Sequence, residues 1–229
     1  METLIRDCLV ILGTTIVISI LFFIRTKKKI SMWHITGIVL FVMSMTVIFN
    51  LTGVSPISGF HTDIHLEEIS IIPIKGIISM IEESFTVAVQ GNASLGEDIF
   101  YALENIIGNI LLFAPLGFFL PLLLNKFRKF KKTVLVGFLV SLLIECSQLF
   151  LIRATDIDDL ILNTLGVMLG YLCFTIFRKL FPKFNQKFIL DKEGNNSIWA
   201  YMPYICIFIP YIVTIVLGFY DRGMLSLRM

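Results

Sequence analysis

Charge is the scarcest ingredient of this chain. Asp, Glu, Lys and Arg make up only 16% of its 229 residues, where an average soluble domain carries about 25%. Histidine occurs three times and cysteine four times. Cys8, Cys146, Cys173 and Cys206 all lie within apolar blocks. None has a CxxC or Cys/His spacing, so they read as small packing residues and not as zinc ligands. No GxSxG, HExxH, P-loop or dinucleotide signature occurs, which removes the usual sequence support for those chemistries. No basic-aromatic surface suggests nucleic acid, and no internal repeat is visible. The start, METLIRD, leads into an apolar run followed by charge with no small-residue cleavage site, so no cleavable signal is expected.

What the chain has is apolar length. Hydrophobic residues make up 56% of it, the mean hydropathy is +0.87, and the apolar residues come in long blocks. A membrane span needs roughly 17–25 mostly apolar residues. Six stretches qualify, at about 8–24, 33–52, 105–124, 133–152, 160–177 and 199–220. The expected fold is an all-α, polytopic transmembrane bundle. Basic residues set its orientation. They concentrate in RTKKK, in NKFRKFKK and between Arg178 and Lys192. These loops follow spans one, three and five and therefore share the cytoplasmic side. Arg6, Lys75, Arg153, Arg222 and Arg228 fall on the other side with most of the acids, and both termini are expected outside.

Residues 53–104 form the only long external segment. Within it, ISIIPIKGIISMIEESF is interrupted by Pro73, Lys75 and Gly76 and reads as an interfacial or re-entrant piece, or as a loop with short amphipathic helices. His61, Asp63, His65 and Glu67 alternate, so a strand would align them as transition-metal ligands, while a solvated loop would not. Asn50, Asn92 and Asn195 begin glycosylation-like triplets, a weak pattern.

The polar residues inside the spans share a depth. At 1.5 Å per residue, Asn109 lies roughly 6–8 Å, Gln148 about 6 Å, Glu145 about 10 Å and Asn163 about 5 Å below the outer ends of their spans. Their faces agree as well. Ser141, Glu145, Gln148 and Ile152 follow a 4-3-4 spacing, as do Asp159, Asn163, Gly166 and Gly170, while Asn105, Asn109 and Leu112 line one side of the third span. Gly166 and Gly170 form a small-xxx-small pair suited to close helix approach, which directs Asn163 into the bundle. Pro115 is expected to kink its span. This layer reads either as interhelical hydrogen bonding or as a polar pocket open to the outside, because ionisable groups within a span mark functional sites.

Arg153 has three candidate partners: Glu145, an acid of the turn, or an anionic group such as a lipid phosphate. The turn ATDIDD holds Asp156, Asp158 and Asp159. These are weak candidates for Ca²⁺ or Mg²⁺ and stronger ones for capping the following helix. No other cofactor is expected.

The runs NIIGNILLFAPLGFFLP and IECSQLFLIRATDIDDLILNTLGVMLGY resemble the VanZ-like family of bacterial membrane proteins. The matching positions are Asn105, Asn109, Phe113, Pro115 and Gly117, then Glu145, Gln148, Arg153, Asp158, Asp159, Asn163, Gly166 and Gly170. The likeness covers roughly residues 30–180, leaving 1–29 as a first span with its basic loop and 181–229 as a cytoplasmic loop with an added span. It implies a multi-pass protein of the bacterial cell membrane, in a family whose named member is associated with teicoplanin resistance. The expected site is an outer-leaflet pocket of Asn109, Glu145, Gln148, Arg153, Asp158, Asp159 and Asn163, engaging a lipid-linked cell-wall precursor, another anionic head group or a glycopeptide. Asn105, Pro115, Gly117, Gly166 and Gly170 take structural roles. One alternative is a membrane-embedded, metal-assisted hydrolase or transferase with Glu145 as general acid or base. Another is a proton-coupled transporter, which the apolar inner halves of spans three to five disfavour.

Overall fold

The computed structural model describes residues 31–52, 95–149, 157–189 and 202–226, together with a few scattered positions earlier in the chain (5, 6, 9, 10, 13, 14, 17 and 78). Every regular element among them is helical. The elements are α1 (Met32–Leu51), α2 (Leu95–Leu123), a 3-10 turn (Asn125–Phe127), α3 (Phe130–Gln148), α4 (Ile157–Leu180), the short α5 (Pro182–Asn185) and α6 (Met202–Ser226). Most of the expected first span, the alternating His61–Glu67 stretch, the apolar run of the external segment, and Arg153 with Asp156 lie outside the described residues.

Among the described residues three helices are long and apolar enough to cross a membrane: Met32–Leu51, Leu103–Leu123 and Ile157–Leu180. They coincide with the expected spans at 33–52, 105–124 and 160–177. α3 holds Lys131, Lys132 and Glu145 within 19 residues, which places it below that standard. α6 is a helix of 25 residues, of which the described apolar part is Ile205–Tyr220.

α1 begins where the Ser31 hydroxyl accepts the Trp33 N–H, a side-chain N-cap that satisfies one of the helix's orphan donors. It buries Ile38, Phe41, Val42, Met45, Ile48 and Phe49, a stripe at three- and four-residue spacing. α2 continues through Pro115 and Pro121. Each proline removes one main-chain hydrogen bond.

Glycines set the helix pairing. A Cβ on Gly166 would lie 2.3 Å from the Ile110 carbonyl oxygen, one on Gly170 would lie 1.8 Å from that of Ala114, and one on Gly117 would lie 2.0 Å from that of Val167. α2 and α4 therefore touch backbone to backbone. Because Ile110 meets Gly166 and Ala114 meets Gly170, the two helices run parallel. α3 returns between them in sequence. Its Gly137 abuts the Val167 side chain and its Ser141 meets Asn163, an antiparallel register. α1 opposes α2, since Gly37 packs against Leu123 and Phe188 while Thr52, at the far end, reaches Gln148. The stacked α2–α4 pair is the centre on which the other helices lean.

The bundle has two unlike ends. One gathers Lys126, Arg128, Lys129, Lys131, Lys132, Arg178, Lys179, Lys183 and Lys187 beside an aromatic cluster in which Trp33 meets Phe184 and Phe188 edge-on. There Tyr171 donates to the Arg128 carbonyl at 2.5 Å, Arg128 reaches the Asn185 side-chain oxygen at 3.3 Å, and the Thr133 hydroxyl donates to the Phe127 carbonyl. The other end carries the last turns of α1 and α3, the first half of α2 and the start of α4.

Candidate functional site

At this second end the buried faces of four helices turn polar. α3 presents Ser141, Glu145 and Gln148 on one side, with relative exposures of 0%, 5% and 2%. Helical spacing of four and three residues brings them into line, and the apolar Leu135, Phe138, Leu139 and Leu142 face outward. α4 contributes Asp158 and Asn163, both buried, with Asp159 half-buried. Acids in the first turn of α4 also suit the positive end of its dipole.

Each amide finds a partner on a different helix. Asn109 on α2 donates to the Asp159 carboxylate at 2.7 Å and to the Asn105 side-chain oxygen at 3.3 Å. Asn163 donates to the Ser141 hydroxyl at 3.0 Å. Gln148 donates to the main-chain carbonyl of Thr52 at 2.7 Å, one of the carbonyls that the C-terminus of α1 leaves without an intrahelical donor. The polar residues thus form a row of interhelical contacts. The α4 face carrying Asp159, Asn163, Gly166 and Gly170 is shared between two neighbours. Asp159 and the glycines meet α2, and Asn163 meets α3.

Three acceptor atoms in this row have no hydrogen-bond partner, Gln148 Oε1, Asn163 Oδ1 and one of the two carboxylate oxygens of Asp158, Oδ2. Buried polar atoms normally pair, so these atoms mark where the row is incomplete. Beside it, Leu51, Glu104, Asn105, Gly108, Asn109 and Leu112 line an open cleft of about 600 Å³. Asn109 belongs to both, facing the cleft and holding Asp159.

Sequence reasoning did not single out Thr52, Glu104 or Gly108, nor Ser141 as the partner of Asn163. Ser141 carried a signal, its place on the polar face. Thr52 carried none beyond sitting at a helix end, because the register between α1 and α3 is not written locally. Among the described residues no group of three His, Cys, Asp or Glu side chains could hold a metal ion, and Asp156 lies outside them.

The Asn109–Asp159 contact predicts a measurable coupling. In a double-mutant cycle with Asn109→Ala and Asp159→Ala, thermal stability in detergent is expected to show about 1 kcal/mol of interaction. Additive losses would mean that the contact contributes nothing.

Apolar helices of spanning length, packed through glycines and holding polar side chains inward, define a helical membrane protein. The chain belongs to the VanZ/LLP1 family, whose model matches residues 35–178, from the first turn of α1 to the last turn of α4. No curated protein and no solved structure matches it.

Proposed function

We propose that the protein is a six-span protein of the bacterial cell membrane that engages a lipid-linked cell-envelope head group through the polar row, placed under the outer leaflet. The spans at 33–52, 105–124 and 160–177 are joined in this reading by 8–24, 133–152 and 199–220, with residues 53–104 as an interfacial external segment and both termini outside. The clustering of Lys and Arg at the opposite end of the bundle supports the orientation, because basic residues mark the cytoplasmic side.

The observation that carries the reading is the row itself. Glu145, Gln148, Asp158 and Asn163 are all at least nine-tenths buried, and three of their oxygens, Gln148 Oε1, Asp158 Oδ2 and Asn163 Oδ1, have no hydrogen-bond partner. Interhelical bonding accounts for the amide nitrogens of Gln148 and Asn163 but not for their oxygens, which are available to a ligand. Glu145 and Asp159 orient the head group or its binding side chains, Asn109, Gln148 and Asn163 give neutral contacts, and Arg153 receives an anionic group. Holding such a precursor is also a route to glycopeptide resistance, as for teicoplanin, which acts on cell-wall precursors.

Native mass spectrometry of gently extracted protein tests this. Wild type is expected to retain a specific envelope lipid that Glu145→Gln and Arg153→Ala both lose. Retention of bulk phospholipid alone, unchanged by either substitution, would overturn the reading.

A further inference from the structure

The basic end of the bundle is built more closely than an orientation signal needs. The rule that orients a membrane protein counts Lys and Arg and does not ask that they be held in place. Here several are held. The guanidinium groups of Arg128, just before α3, and Arg178, near the end of α4, lie 5.8 and 5.7 Å from the centre of the same Phe174 ring. The Lys187 ammonium lies 5.4 Å from the Trp33 ring and 5.7 Å from that of Phe184. Stacking on a ring positions a cation without neutralising it.

Helix electrostatics explain only part of this charge. Arg178 and Lys179 suit the negative end of α4, but Lys131 and Lys132 stand in the first turn of α3, which has no acid and no side-chain cap. There they oppose the positive end of the helix dipole. Acids do not balance them either. Residues 31–52, 113–140 and 166–189 contain no Asp or Glu. The flanking stretches 25–30 and 190–194, outside the described residues, add RTKKK and Lys192 against Asp191 and Glu193, so the end stays strongly positive.

Apolar surface lies between the cations. Phe130, Leu180 and Phe181 are exposed at 46%, 66% and 54%, each beside a lysine or one residue from it in the chain. The antiparallel register of α3 and α4 brings both runs to the same end, where the Phe130 and Tyr171 rings lie 5.4 Å apart.

We infer that this end holds an anionic phospholipid of the inner leaflet, of the phosphatidylglycerol kind. Basic surfaces between helix ends on the cytoplasmic side attract such head groups. The phosphate sits in the summed field of the Lys131–Lys132 and Arg178–Lys179 pairs, so no single atom has to bridge the two helices. The first acyl carbons lie against Phe130, Leu180 and Phe181. These apolar side chains select a lipid over a soluble acidic partner, which would meet the charges alone. The site shares no residue with the polar row, so it stands or falls apart from the head-group reading.

The test strips the full-length protein of lipid in detergent, titrates it with phosphatidylglycerol and phosphatidylcholine of one acyl length, and reads bound lipid by native mass spectrometry. In roughly 0.1 M salt phosphatidylglycerol is expected to bind about tenfold or more tightly, in a discrete one-lipid step. In about 1 M salt, where charges are screened within roughly 3 Å, most of that preference is expected to vanish. Changing Lys131, Lys132, Arg178 and Lys179 together to Gln is expected to abolish it, and the wild-type comparison stands even if that variant does not fold. Glu145→Gln, at the other end, keeps the site, and gently purified protein of either kind carries this lipid already. Equal binding of the two lipids would overturn the inference, as would an unchanged preference in the folded neutralised variant. Displacement by glycerol phosphate at matched concentration would keep the anion chemistry and overturn its lipid source.

Discussion

Gly170→Ala is expected to lower the melting temperature of the detergent-extracted protein by roughly 5–10 °C. The added methyl carbon would lie 1.8 Å from the Ala114 carbonyl oxygen and 2.7 Å from its carbon. Neither atom belongs to a flexible side chain, so α2 and α4 must separate along the whole line from Gly166 to Gly117. In lipid the helices gain little from excluding water, and close packing is a main source of their association. The matched control is Gly108→Ala. Gly108 has nothing within 4 Å of a built Cβ, and an exposed helical glycine loses about 1 kcal/mol relative to alanine. That substitution should leave the melt unchanged or raise it slightly. A melt for Gly170→Ala as high as that of Gly108→Ala would show that the backbone contact does not hold the pair together.

Asn163→Leu is expected to separate stability from binding. Leucine has nearly the shape of asparagine, and it removes an oxygen that has no hydrogen-bond partner along with the bond to Ser141. The Ser141 hydroxyl can turn back to a carbonyl of its own helix, as serine often does. The stability change should therefore stay within about 1 kcal/mol in either direction. Retained lipid, measured on the same preparation, should fall at least about tenfold, because the acceptor is lost and a methyl group faces the polar row. Lipid retention equal to wild type would remove Asn163 from the site.

Much of the fold is legible in the sequence because apolar length is a global property. The spans at 33–52, 105–124 and 160–177 need no partner to be recognised. Helix faces are legible too, since 4-3-4 spacing places Ser141, Glu145 and Gln148 together whatever lies opposite. Partners are not. Nothing local tells Asn109 that its acceptor is Asp159, 50 positions away, or tells Gln148 that it meets the end of α1. The glycines show the same division. Gly166 and Gly170 announce a close contact by their spacing, but that they meet Ile110 and Ala114 in a parallel register follows only from how α3 turns the chain back. The count of spans stays less legible because Lys131, Lys132 and Glu145 dilute α3.

The most direct measurement is the thermal melt of purified wild type and Glu145→Gln, each with and without added bacterial membrane lipid extract. A ligand that binds only the folded state raises the melting temperature. Without lipid the two proteins should melt within a few degrees of each other, as about 1 kcal/mol or less allows in a chain of this size. Added lipid should raise the wild-type melt by roughly 5 °C or more and leave Glu145→Gln unmoved. Equal shifts in both proteins, or none in either, would contradict a head-group site at Glu145 and leave the polar row as packing between helices.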